Sequence, residues 1–158
     1  MSNFLKTCAF VCLIGFTACT GGASAKQDAA GFAALQGKTW RLLRIKTLSG
    51  DTGFSRSKLE AEDMGDFYIL QFDSERAGGR AAPNRYSATY QREGDHGISF
   101  NTIAGTRMAS FKEPEDLKEQ AYYDYLAQVT RWALVQGRLE LYTRDMEGME
   151  AVLVFGTE

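Results

Sequence analysis

Chemistry in this chain could come from thiols, from a single imidazole, or from carboxylates and guanidinium groups that the fold gathers. All three cysteines, Cys8, Cys12 and Cys19, fall within the first nineteen residues. Whatever folds after them has no thiol pair to oxidise, no cysteine nucleophile and no thiolate set for zinc. His96 stands alone in the glycine-bearing turn Gly94-Asp-His-Gly97. One imidazole without a second His or a Cys makes no transition-metal constellation. Asp145, Glu147 and Glu150 share a turn but lack the alternating acidic ligands of a calcium loop, and they read as a solvated acidic turn. No Gly-x-Ser-x-Gly elbow, Gly-Lys-Ser/Thr phosphate loop or Gly-x-Gly-x-x-Gly fingerprint occurs. Nothing singles out a pair among the 20 acidic residues. No catalytic residue, metal site or cofactor is expected, and the chain reads as a non-enzyme.

The polar side chains that stand out are Asn84, Arg85 and Arg107. Asn84 follows Pro83 and precedes a strand, where its amide can bond nearby backbone and tolerate turn geometry. Arg107 falls in the polar phase of its strand. Fixing the turn and the register is the first role for these residues. Binding an anionic ligand or partner group is the second.

Cys19 has a chemistry of its own. Residues 8–16 form an apolar run of nine after a start that carries one positive charge. That is far short of the roughly 20 residues a membrane-spanning helix needs, but it is the length of a secretory signal's apolar core. Phe16-Thr-Ala-Cys19 is similar to the bacterial lipobox, in which the cysteine is lipidated. Ala23-Ser-Ala25 is a competing small-x-small site, whose cleavage releases a soluble periplasmic protein beginning at Lys26. The lipobox is the preferred reading. It makes 1–18 a signal peptide and anchors Cys19 in the membrane, where two or more acyl chains hold and one is marginal. Thr20 is not the Asp of inner-membrane retention, so the expected product is an exported outer-membrane lipoprotein facing the periplasm. Residues 20–34 are small, polar and glycine-rich, which makes 19–34 a flexible tether.

Behind the tether there is room for one ordinary domain, residues 35–158. Hydrophobic residues at 44% and charged residues at 24% are globular proportions. The net charge of -2 comes from interspersed signs. Without a basic patch to neutralise phosphates along a strand, nucleic acid is not an expected partner.

The elements that must position these residues follow from periodicity. Residues 39–45 open the domain as a strand with Trp40 and Leu42 on one face. Residues 49–66 read as a long polar loop with a helical turn near 57–63. A strand over 67–72 puts Tyr68, Leu70 and Phe72 on one face, and Gly78-Gly79 reads as a turn. Over 85–91, Tyr86, Ala88 and Tyr90 alternate with Arg85, Ser87, Thr89 and Gln91, as in a strand covered on one side. Residues 98–101 and 103–108 continue the pattern. A long helix is expected over 113–129, with Pro114 at its first position and an apolar stripe of Leu117, Ala121, Tyr122, Tyr125, Leu126 and Val129. A hairpin over 132–142 turns at Gln136-Gly137, and 152–155 is the last strand. The pattern predicts an α+β domain: a curved antiparallel sheet of about seven or eight strands with one main helix packed on it or plugging its open side. Tyr86, Tyr90, Tyr122, Tyr125 and Trp132 are placed to line an apolar pocket between sheet and helix.

In this order, several blocks resemble one family. They are Leu35-x-Gly37-x-x-Trp40-x-Leu42, Tyr68-x-Leu70-x-Phe72, Asn84-Arg85-Tyr86-Ser87-Ala88-x-Tyr90, Thr106-Arg107-Met108-Ala109, Leu139-x-Leu141 and Leu153-x-Phe155. They are similar to the META domain, the family of HslJ-like heat-shock lipoproteins. Asn-Arg-Tyr and Thr-Arg-Met-Ala are the most specific blocks. Many relatives read Gly-Cys-Asn-Arg-Tyr and Met-Ala-Cys, whereas here Pro83 precedes Asn84 and Ser110 follows Ala109. Both cysteine positions are lost together, so the domain does without a staple typically worth about 2–4 kcal/mol. The resemblance implies a compact envelope domain, likened to a cracked barrel that holds lipid in an apolar cavity, with no catalytic residue to carry over. Family members are linked to stress or drug tolerance and to secretion or virulence. The expected function is a lipid-anchored envelope protein acting by binding or assembly. Its partners are the membrane through Cys19 and an envelope protein or an apolar ligand. A carrier of apolar ligand and an inhibitor of an envelope hydrolase, inserting loop 49–66, are the alternatives.

Overall fold

Alternation drives most of the chain into extended elements, and the computed structural model describes them over residues 31–106 and 113–157. Cys19, Arg107 and both candidate cleavage sites lie outside the described residues. After a short 3-10 helix, Phe32–Leu35, the order is β1 (Thr39–Thr47), β2 (Gly50–Asp51), α1 (Arg56–Ala61), β3 (Ile69–Phe72), β4 (Arg76–Arg80) and β5 (Arg85–Glu93). Then come β6 (Gly97–Gly105), α2 (Glu119–Ala127), β7 (Arg131–Val135), β8 (Arg138–Arg144) and β9 (Glu150–Gly156).

The nine strands form one antiparallel sheet in the order β2-β1-β3-β4-β5-β6-β7-β8-β9. β1 also pairs with β9, from Arg41 opposite Gly156 to Thr47 opposite Ala151, so the sheet curves into a ring. The narrowest link is β6 to β7, where Gly97 opposite Arg131 is the one registered pair. A shift in register between Leu42 and Arg44 adds a residue to β1. Trp40, Leu42 and then Ile45 therefore all reach the core, although plain alternation would turn Ile45 outward. The expected α+β class stands, with nine strands in place of seven or eight and with α1 as a second helix.

Three expectations are corrected. Gly78 and Gly79 are not a turn; both lie inside β4, opposite Gln71 and Leu70 on β3 and Ser87 and Tyr86 on β5. A Cβ at Gly79 would collide with the carbonyl of Ile69, and one at Gly78 would come within 2.8 Å of Tyr86 O. The glycines mark close approach of neighbouring strands in a tightly coiled sheet. The reversal sits earlier, where Asp73 Oδ1 accepts the N–H groups of Glu75 and Arg76 at 2.9 and 2.6 Å.

The long helix is shorter than predicted. It begins at Glu119, not near Pro114. Pro114 and Leu117 are both buried, so 113–118 is laid against the core as an irregular approach. The carbonyl of Leu117 accepts from the Tyr68 hydroxyl, and Glu113 Oε1 caps the N–H of Glu119 at 2.7 Å. Tertiary partners satisfy the groups that a helix would have used.

The third correction concerns the tether. Phe32 is 3% exposed and Leu35 is fully buried, so the packed domain already includes residues assigned to the flexible segment. Phe32 sets its ring against Phe72, Tyr90 and Trp132 at centroid distances of 5.2, 5.1 and 5.5 Å. It closes one end of the ring. At the other end α2 lies across the sheet with Tyr122 and Leu126 buried, as its apolar stripe requires.

Candidate functional site

Asn84 is the centre of a buried polar knot. It is 5% exposed. Its N–H and Nδ2 donate to Glu119 Oε1 and Oε2 at 3.2 and 2.9 Å. Its Oδ1 accepts from Thr106 Oγ1 at 2.9 Å, and that oxygen accepts the N–H of Arg85 at 3.2 Å. The Tyr123 hydroxyl donates to Glu119 Oε1 at 3.1 Å. Asn84 thereby joins the start of β5, the end of β6 and the first turn of α2. Glu119 places its carboxylate at the positive end of the helix dipole. The loop before Asn84, with its cis Ala82-Pro83 bond, is tied by Ala81 N–H to Asn84 O at 2.8 Å and by Arg80 Nε to Pro83 O at 3.1 Å.

This knot does what Asn84 was expected to do, and its two main partners were missed. Thr106 heads the Thr-Arg-Met-Ala block and was in view as part of that block. Glu119 carries no local signal, because its role exists only where α2 meets β5. Burial first, and Glu119 second, raise the Tyr123 phenol above its ordinary value. The arrangement ties three elements together and offers no acid or base of ordinary range. Arg85 is exposed on β5 and borders a shallow outer groove with Arg76 and Gln71.

The five aromatic residues expected around one apolar pocket are not brought around one. Tyr86 and Tyr122 meet edge to face at 5.8 Å, and Tyr122 meets Tyr68 at 5.2 Å. The Tyr86 hydroxyl donates to Ile69 O at 3.1 Å, so the Tyr122 hydroxyl, 3.1 Å away, donates to Tyr86. Tyr122 has no exposed surface at all, hence no water-sized void touches it. Burial drives both phenols well above the usual tyrosine range. Trp132 packs at the far end against Phe32, and Tyr90 donates to Asp73 O at 2.7 Å there. Tyr125 lies on the outside of α2, beside a cavity of about 210 Å³ that Met146 also lines. The five fill three separate places.

A different cluster was not foreseen. Arg41, Arg56 and Arg138 line one cleft with Glu60. Arg56, 9% exposed, donates from Nε to Leu42 O at 2.8 Å and from Nη1 to Phe67 O at 3.0 Å. Burial, and then the neighbouring Arg41, push its pKa below the ordinary guanidinium value. Among the described residues, no three His, Cys, Asp or Glu side chains gather as a metal site, and no helix is long and apolar enough to cross a membrane.

A curved antiparallel sheet wrapped round a filled core, with a helix tied over one end, defines a class of small α+β domain. The chain belongs to the META domain family, whose model matches residues 33–154. Among solved structures it is similar to an NMR structure of a protein from Burkholderia xenovorans, with a TM-score of 0.59 and 23% identity over 83% of this chain and 88% of that one. That likeness is one of fold. No curated protein matches.

Proposed function

We propose that this META domain is a lipid-anchored protein of the cell envelope, held by Cys19 in the outer membrane, that acts by binding or assembly and not by catalysis, in envelope stress tolerance. The observation that carries the reading is the filled interior. With Tyr122 and Leu126 at 0% exposure under α2 and Phe32 at 3% at the opposite end, the domain offers other molecules its outer surface. The leader with Cys19 and the resemblance to HslJ-like lipoproteins support the location. Lipid labelling of wild type and Cys19→Ala tests the anchor. Label on the wild type alone, in the outer-membrane fraction, is the expected result. Equal labelling of both sinks the anchor, and a soluble product beginning at Lys26 assigns cleavage after Ala25. Crosslinking in intact envelopes should then capture an envelope protein.

A further inference from the structure

A cleft of about 410 Å³ opens where α1, β1, β9 and the β7–β8 turn meet. It draws its guanidinium groups from three distant parts of the chain. Arg41 lies opposite Gly156 across the β1–β9 ladder. Arg138 follows the tight turn Gln136-Gly137, whose φ angles of 52° and 76° are those of a two-residue hairpin loop matched to strand twist. A side chain at Gly156 would meet Leu43 Cδ1 at 2.9 Å, so glycine keeps this wall low.

Two of the guanidinium groups converge. The Nη1 atoms of Arg41 and Arg56 both donate to Gly65 O, at 2.5 and 3.2 Å. They lie no farther apart than those two distances allow. The Nη2 atom of Arg56 is buried and makes no hydrogen bond among the described residues. A buried guanidinium with an idle donor, close to a second one, calls for a counter-charge. Three guanidinium groups against the single carboxylate of Glu60 leave two positive charges over.

We infer that this cleft binds a dianionic phosphate group. Planar guanidinium forks match phosphate oxygens two at a time, and a carboxylate would neutralise half of the excess. Arg138 and Arg41 meet the anion at the rim. Arg56, pinned by three backbone carbonyls, supplies a fixed charge behind them. The inference stands whether or not Cys19 carries lipid.

Inorganic phosphate titrated into the full chain at constant ionic strength is the test, read from the amide resonances of Gln136, Arg138 and Gly156. The shifts should saturate. Arg138→Gln, an exposed change outside the core, should weaken binding about fivefold, the scale of one lost charge contact. Glu60→Gln should tighten it. Sedimentation with phosphatidylcholine vesicles, with and without phosphatidate, separates the sources. Phosphatidate-dependent binding that Arg138→Gln abolishes assigns a lipid headgroup, and phosphate binding alone assigns a free phosphate. Shifts that fail to saturate, that chloride reproduces, or that Arg138→Gln leaves unchanged overturn the site.

Discussion

The ring is closed at its two ends by different physics. β3 begins under α2 and ends against Phe32, so the two closures sit at opposite ends of the same strand. At the Phe32 end the seal is rings on rings: Phe32 touches Phe72, Tyr90 and Trp132. At the α2 end the seal is a set of directed bonds. Tyr68 reaches Leu117 O, Asn84 holds Glu119, and Thr143 Oγ1 donates to Tyr125 O at 2.6 Å. The apolar seal draws on area removed from water and tolerates small shifts. The polar seal draws on geometry, and its failure leaves buried groups unpaired, which is costly. The comparison teaches why one end could be built from a single residue while the other needed three elements.

Four measurements break or sharpen that contrast. Phe32→Ala should have the largest effect, lowering unfolding free energy by about 3–5 kcal/mol, as other buried Phe truncations do. Urea unfolding reads it, and a change near zero would mean that Phe32 is not the seal. Asn84→Ala comes next, at about 1–3 kcal/mol, because Glu119 and Thr106 lose their partner inside the protein. Combined with Phe32→Ala, the losses should add to within about 0.5 kcal/mol if the closures are independent. A larger deviation means that the ends communicate through β3 and β5.

Tyr68→Phe removes one hydroxyl and leaves Leu117 O without it, for about 1 kcal/mol. Thermal melting at equal protein concentration would show this, and an unchanged curve would assign the polar seal to Asn84 alone. The smallest effect lies on the wall between the ends. Glu140 is 9% exposed. Burial alone would raise its pKa, but hydrogen bonds from Lys46 at 2.9 Å and Tyr142 at 2.8 Å outweigh burial and hold it below the usual glutamate value. A lowered folded pKa means that the unfolded chain takes up the proton first as pH falls. The stabilisation is therefore whole above the ordinary glutamate pKa of about 4.3 and is lost as pH falls through the folded value. Glu140→Gln should be less stable than wild type at neutral pH, and the gap should narrow in acid. A constant gap would assign the effect to packing.

Much of the fold was legible. Period-two alternation over 85–91, the Gln136-Gly137 hairpin and the apolar stripe of Tyr122, Leu126 and Val129 all stand in the structure as read, because each is coded within a few residues. Asn84 was legible as a tie, since Asn after Pro at a strand start is a local signal. Its partner Glu119 was not, and neither was the displaced start of α2, where a proline and two acids spelled a helix that the core overrode through Leu117 and Tyr68.

By itself, then, the sequence determined the α+β class, the run of antiparallel strands, the META family and the absence of thiols from the domain. Period, turn chemistry and composition act over short stretches, so they can be read there. Only the tertiary structure decided that β1 would meet β9, that Gly78 and Gly79 would lie inside a strand, that Phe32 would seal the core, and that Arg41, Arg56 and Arg138 would share a cleft. Each depends on groups many residues apart. Their pairing is set by how the ring closes around its core, and no local spacing records that.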